Sequence, residues 1–290
     1  MANITNIHGL PEALVRAVER DPYDSGGADI SVTKLIDSPQ INVLRKAHEA
    51  EIEVDVTDMI PALMGQSIHL LLERAAIPGA MLEHRFFAEC QGWKVSGQAD
   101  WLHPQARTLI DYKVTTVYKS KGDDKWDKQL NVLRWLALQN NVEVDTAYIC
   151  AIYRDWMPSK AAVEAGYPRA RAELIPIPLW PMGEVREYVT RQVTAHQQAA
   201  LGQRVLCTDE ERWMTPAKWA LMQYGKKRAI RLYDSEPKLP RLPEDQYVEY
   251  RPGQYRRCEQ YCDVARWCTQ WAETHHDSTP HDETDEHPEA

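Results

Sequence analysis

Three stretches in the first half of the chain read as strands from their apolar and polar positions: MLEHRFFAEC from residue 81, WKVSGQADWL from residue 93 and RTLIDYKV from residue 107. Short connections join them, Gln91-Gly92 in one case and a Pro-containing turn over 104–107 in the other. Upstream the period is helical. PEALVRAVER is a short amphipathic segment followed by the loop DPYDSGGAD, and Ser31 and Ser38-Pro39 are start signals that predict two consecutive helices over 32–50. Asp58 is placed to cap a longer helix to about Ala75, in which Ile60, Leu63, Ile68, Leu71 and Leu72 approximate one apolar face. Downstream, DDKWDKQLNVLRWLALQNN is expected as a helix with Trp126, Leu130, Leu133, Leu136 and Ala137 on one side. DTAYICAIYRDW and AELIPIPLW are expected as strands, and PMGEVREYVTRQVTAHQQAA as a long helix opened by Pro181.

This order of helices, antiparallel-rich strands, a helix and further strands predicts a mixed α/β layer fold. Beyond about residue 203 the pattern turns irregular, with TPAKWALMQYG expected as a helix, KKRAIRLYD as a strand and SEPKLPRLPEDQ as a Pro-rich connector. The expected division is an N-terminal extension over 1–30, a core over 31–202, a small cysteine-containing subdomain over 203–272, and an acidic tail over 273–290 whose composition predicts disorder. No internal repeat is present.

Charge changes the picture less than its total suggests. The net charge is −9, but seven acidic residues and no Lys or Arg lie between Glu273 and Glu289, so most of the imbalance belongs to the tail. Two basic clusters remain as candidate phosphate contacts: Lys119, Lys121, Lys125 and Lys128, and Lys226, Lys227, Arg228 and Arg231. A solvated surface explains the same charges. No run approaches the roughly 18 apolar residues of a membrane helix, and the opening MANITNIHGL lacks the basic-then-apolar order of a signal peptide, so a cytoplasmic location and no membrane partner are expected.

The hairpin over 97–114 carries candidate chemistry. With 104–107 as its loop, His103 opposes Thr108, Leu102 opposes Leu109 and Asp100 opposes Asp111, while Asp111 and Lys113 share a face. Like charges opposed on a sheet are destabilising, and burying unpaired carboxylates costs several kcal/mol. A divalent cation offsets that cost, and hard oxygen ligands suit Mg²⁺ or Mn²⁺. An exposed hairpin edge with a surface salt bridge is the alternative.

G97-Q-A-D100 followed by I110-D111-Y-K113 resembles the PD-(D/E)XK nuclease core, and the wider pattern is similar to its RecB-type branch. G65-Q-S-I-H69 stands where that branch has a G-x-x-x-H helix, and Gln129 where it has a glutamine after the lysine strand. Leu133 occupies the position of the usual tyrosine. The resemblance implies a restriction-endonuclease-like mixed sheet flanked by helices, with Asp100, Asp111, Lys113 and Gln129 as catalytic residues and with metal held by His69, Asp100, Asp111 and the backbone carbonyl of Tyr112. Glu83 matches a recurrent acid on the preceding strand, though a surface glutamate fits that position equally. The implied activity is Mg²⁺-dependent hydrolysis of DNA phosphodiesters in a bacterial or phage-infected cell, as in phage recombination exonucleases that resect DNA ends for a single-strand annealing partner. A restriction-type or structure-specific endonuclease uses the same hairpin, and a DNA-binding adaptor with a degenerate site is the non-enzymatic alternative.

Cys258, Cys262 and Cys268 crowd into eleven residues, a spacing at which thiolates gather Zn²⁺ or an iron-sulfur cluster. Iron-sulfur members of the same branch, including CRISPR-adaptation nucleases, add an upstream cysteine before a Pro. Ser38 stands there in this chain, so Cys207 becomes the candidate fourth ligand of a [4Fe-4S] cluster, with Zn²⁺ or ordinary buried cysteines as alternatives.

Overall fold

The computed structural model describes residues 2–20, 24–119, 124–239 and 241–276. Its contacts divide the chain into two compact units, Met1–Val205 and a second that begins at Leu206.

In chain order the first unit contains β1 (Asn3–Thr5), α1 (Glu12–Glu19), β2 (Ile30–Ser31), α2 (Val32–Leu35), α3 (Pro39–Ala47), β3 (Glu53–Asp55), α4 (Val56–Glu73) and β4 (Met81–Cys90). It continues with β5 (Trp93–His103), β6 (Thr108–Thr115), α5 (Asp124–Gln139), β7 (Thr146–Tyr153), α6 (Pro158–Val163), β8 (Ala172–Pro176) and α7 (Met182–Ala200). The expected mixed α/β architecture is what forms: a central mixed sheet flanked by helices, ordered β2-β5-β6-β7-β8 with β4 also paired to β5. β4, β5 and β6 run antiparallel in turn, β7 runs parallel to β6, and β8 returns antiparallel.

β5 organises this sheet. One edge is paired with β4 from Met81–Leu102 to Cys90–Trp93. The other edge is shared by two short neighbours, β6 at Trp101 to His103 and β2 at Val95 and Ser96. Between them, Gly97 to Asp100 have no strand partner on that edge, so the sheet forks there.

The core fills with Val95, Leu102, Leu109 and Ile149 from the strands, Leu130 and Leu136 from α5, and Val185, Val189 and Val193 from α7, all at 0% exposure. Asn131, also fully buried, ties α5 to the segment before α7: it donates to the Pro178 carbonyl at 3.0 Å and accepts from the Trp180 amide at 2.9 Å. α5 reaches the fork at Gly97, where a Cβ would stand 2.6 Å from Leu133, 2.7 Å from Leu136 and 2.7 Å from Val32.

Several expectations need correction. The cap of α4 is Asp55, whose carboxylate accepts from the Thr57 amide at 3.0 Å and also from Thr5 Oγ1 and the Ile7 amide. Asp58 lies in the first turn instead, where its charge faces the positive helix end. The N-terminal segment is therefore fastened, since β1 pairs parallel with β3, and Asp55 at the end of β3 also holds Thr5 and Ile7. The two-residue β2 and the short α6 are too brief to show a period in sequence.

The second unit holds β9 (Met214–Thr215), β10 (Lys218–Gln223), β11 (Arg231–Tyr233), β12 (Gln246–Arg251), β13 (Gln254–Tyr255), α8 (Arg256–Gln260) and α9 (Thr269–His276). TPAKWALMQYG is thus a strand rather than a helix. Ala220 and Met222 are buried at 0% and 4% while Trp219, Leu221 and Gln223 alternating with them are only half-buried, a period of two that the helix-forming Ala, Leu and Met obscured. β10 is central in a three-stranded antiparallel sheet, β11-β10-β12. The expected strand KKRAIRLYD is confined to Arg231–Tyr233, and β12 emerges where the Pro-rich connector was expected to end. α9 runs through His276, into the segment expected as tail, and residues 277–290 lie outside the described residues.

Gly97→Ala is expected to destabilise the first unit by about 1–3 kcal/mol, because three buried side-chain ends must yield together. Urea unfolding of the variant against wild type measures it.

Candidate active site

Past the Trp101–Ile110 pair the β5–β6 ladder opens, one position short of the expected Asp100–Asp111 pair. In its place the Asp100 carboxylate accepts the Tyr112 amide at 2.7 Å, so a side chain takes over a backbone acceptor's role in the fork. Groups from two helices converge on this opening. Asp111 accepts from Gln129 Nε2 of α5 at 2.7 Å, and the Tyr112 ring meets His69 of α4 edge-on at 6.2 Å. Successive strand residues point to opposite faces, and here they address helices on either side.

His69 Nδ1 lies 2.9 Å from Glu83 Oε1 and 3.6 Å from Asp100 Oδ1. Among the described residues, these three are the set of His, Cys, Asp and Glu ligand atoms lying within 4.8 Å of one another. Glu83 is therefore no surface residue: its side chain is 15% exposed, and its second oxygen accepts from Gln98 Nε2 at 2.7 Å. Its backbone is left-handed, with φ of 46°, and it drops out of a ladder that keeps Leu82–Trp101 and His84–Ala99 in register. Such a conformation in a non-glycine residue costs of order 1–3 kcal/mol and persists where the surroundings impose it.

Asp111 does not belong to this close set. It is 1% exposed, with one oxygen bound by Gln129 and the other 2.6 Å from Lys113 Nζ. That second oxygen, Oδ2, receives no aligned hydrogen bond, so Lys113 neutralises it as a charge rather than as a directed donor. Lys113 itself is 28% exposed, at the mouth of a cavity of about 250 Å³ that also holds His69, Glu83, Asp100, Asp111 and Gln129.

Proton affinities follow from this crowding. Burial, and then the charge of Asp111, push Asp100 up to about 8. His69 is raised above the usual imidazole range, first by its hydrogen bond to Glu83 and then by the charges of Asp100 and its neighbours. Burial works against ionising Glu83, but hydrogen bonds from His69 and Gln98 outweigh it and hold the carboxyl below its usual range. The crowded carboxylates are thus relieved by a proton held on Asp100.

Sequence reading missed Arg85 and Gln98 as a pair. Arg85 donates to Gln98 Oε1 at 2.6 Å, and both line the cavity and an adjoining depression of about 690 Å³ bordered by Gly65. The signal was available in the β4–β5 register, which sets Arg85 opposite Gln98 just as it sets Glu83 toward Asp100. Gly65, one turn before His69, leaves open space where a side chain would stand.

Of the candidate phosphate contacts in the first unit, Lys119 is exposed in the turn after β6, and Lys121 lies outside the described residues. Lys125 and Lys128 pair with acids, Asp37 at 3.5 Å and Asp124 at 2.7 Å. In the second unit Lys226, Lys227 and Arg228 are exposed on the β10–β11 connection rather than on a strand.

The Cys207 peptide is clasped through two 2.9 Å hydrogen bonds by the side chain of Gln270, which lies at the start of α9, two residues past Cys268. All four cysteines are half-buried, and burial raises the Cys262 thiol. No three of their sulfurs lie within 4.8 Å of one another, so as placed they do not close around a single zinc ion; a [4Fe-4S] cluster, whose cysteines each bind a different iron, spans a wider set of sulfurs.

The fold and site together define a mixed α/β protein with a buried acidic pocket at a fork in its sheet. No protein-family model matches the chain, and no curated protein matches it. Among solved structures, SSO0001 is similar at 18% identity and a TM-score of 0.46, over 69% of this chain and 89% of that one. A phage-related exonuclease from Haemophilus somnus 129PT is similar at 15% identity and a TM-score of 0.29, over 64% of this chain and 78% of that one. No helix among the described residues is long and apolar enough to cross a membrane.

A folded-state proton affinity raised from 3.8 to about 8 means that Asp100 stabilises the fold fully below pH about 4 and loses that contribution as pH rises through 8. In EDTA, Asp100→Asn should unfold at the same temperature as wild type near pH 4 and at a higher one near pH 8, measured by thermal scans.

Proposed function

We propose that the chain is a divalent-metal-dependent nuclease that hydrolyses phosphodiester bonds in DNA. The observation that carries this reading is one cavity holding His69, Glu83, Asp100, Asp111, Lys113 and Gln129, in which Asp100 is too buried and too crowded to ionise readily without a compensating positive charge. The donor set fits a hard cation such as Mg²⁺ or Mn²⁺: two carboxylates and one imidazole close together, with a third carboxylate, Asp111, in the same cavity and its Oδ2 buried without an aligned hydrogen bond. Asp100, Glu83 and His69 would hold the ion, with Asp111 beside them. When bound, it supplies Lewis-acid polarisation of the phosphate and a lowered pKa for an attacking water.

The chain's own residues do the remaining work. Gln129 fixes one Asp111 oxygen, which leaves the other directed toward Lys113. Lys113 carries its charge at the cavity mouth, where it orients water and stabilises negative charge that develops on the phosphate. Arg85, bound to Gln98 beside the same cavity, adds a second cation for a phosphate oxygen.

The resemblance in the sequence favours an exonuclease that resects DNA ends, and the geometry is neutral between end-directed and internal cleavage. The cysteine placement gives no set of sulfurs close enough for a single zinc ion and is neutral toward an iron-sulfur cluster, which iron analysis of anaerobically purified protein checks separately.

With end-labelled linear DNA and Mg²⁺, Lys113→Ala should lower the cleavage rate by about 10²-fold or more, and Asp111→Ala or EDTA should bring it to background. Intact cleavage by either variant sinks the assignment. Cleavage of closed circular DNA at the rate of linear DNA replaces the exonuclease reading with an endonuclease.

A further inference from the structure

One face of the β11-β10-β12 sheet carries chemistry that the acidic cavity does not use. The register sets Tyr233, Trp219 and Tyr250 side by side across the three strands. The Trp219 and Tyr250 rings are 5.0 Å apart at 56°. The next row on that face is Arg231, Leu221 and Val248, because residues two apart on a strand share a face. Ala220 and Met222 point the other way and are buried at 0% and 4%, so the aromatic row lies on the less buried side, where Tyr250 is 53% exposed.

Positive charge borders this row. The Arg231 guanidinium lies 5.1 Å from the centre of the Tyr233 ring. The β10–β11 connection, beyond Gln223, presents Lys226, Lys227 and Arg228 to solvent. From Trp219 to the end of β10 is roughly 13 Å at strand rise. Two acids adjoin the row in sequence, Asp234 beside Tyr233 and Glu249 beside Tyr250; they pair with Lys218 and Arg251, and all four alternate onto the opposite face from Trp219.

We propose that this face binds single-stranded DNA, with unpaired bases stacked on Tyr250, Trp219 and Tyr233 and phosphates held by the basic connection. Every base offers a flat π-face, so an aromatic row beside cations takes single strands with little regard to sequence. An acidic peptide would satisfy the cations but leave the row of rings without planar partners. The choice of DNA over RNA rests on the nuclease reading above, whereas the stacking surface stands without it.

The test is equilibrium binding of the full chain to fluorescent oligo-dT and to a duplex of equal length, in EDTA so that cleavage is silent. Tyr250→Ala is expected to weaken oligo-dT binding about tenfold or more, while Trp219→Phe, which keeps a ring, stays within a few fold of wild type. Replacing Lys226, Lys227 and Arg228 together with Ser should flatten the salt dependence. Tyr250 is half-exposed, so its loss leaves the core intact, and matched thermal midpoints verify this.

Unchanged oligo-dT affinity in Tyr250→Ala and in the Tyr233→Ala, Tyr250→Ala double variant overturns the proposal. So does an equal loss for duplex, or a wild-type chain that binds no oligo-dT, which would assign the face to a protein partner. Asp111→Ala separates the two readings: retained cleavage removes the nuclease and leaves the binding result standing, whereas lost cleavage with retained oligo-dT binding supports both.

Discussion

β5 has more neighbours than one strand can pair in full. β4 fills one edge along its length, and the other is divided between β2 at Val95 and Ser96 and β6 at Trp101 to His103. A stretch of backbone edge is left open inside a sheet whose surroundings are apolar, and buried backbone polar groups need partners. Asp100 answers for one of them by accepting the Tyr112 amide. Once a carboxylate occupies that opening, the rest of the site follows: His69 and Glu83 close in from one side, Asp111 from the other, and Lys113 and Gln129 hold Asp111 in place.

The electrostatics of such a site are unfavourable for a fold by themselves. Removing a carboxylate from water costs several kcal/mol even after relaxation, and a second buried acid nearby adds repulsion. One lysine and one imidazole offset part of this, and the proton held by Asp100 up to about pH 8 offsets more. Glu83 adds a left-handed backbone to that load. Strain and charge are concentrated at one point of a sheet packed on its α5 and α7 side, a combination that marks candidate functional sites.

The two units reach stability by different means. The first has a continuous apolar core from Val95 on β5 to Val193 on α7. The second has less apolar material and buries two arginines at 6% exposure each: Arg212 lies 3.3 Å from the centre of the Tyr255 ring and donates to Thr274, and Arg257 donates to the Glu211 carbonyl and stacks over Trp213. Cation–π contacts and hydrogen bonds stand in for a larger core. The aromatic richness of this region, with few phenylalanines in the whole chain, is consistent with rings whose polar edges or faces meet a partner.

Local pattern was enough to read the β4–β5–β6 strands, the turn at 104–107 and the adjacency of Asp111 and Lys113, because alternation and tight turns act over a few residues. It also gave α5 and α7, since a helical face repeats over several turns. It failed where the deciding partner is distant. TPAKWALMQYG carries helix formers, yet pairing on both edges makes it a central strand; Asp55 rather than Asp58 caps α4 because β1 and β3 meet there. Glu83 joins the site only because β4 kinks opposite Asp100. Residue type and spacing set which groups this chain has available, whereas the fork in the sheet, which arises from three strands competing for two edges, selects those that share one cavity.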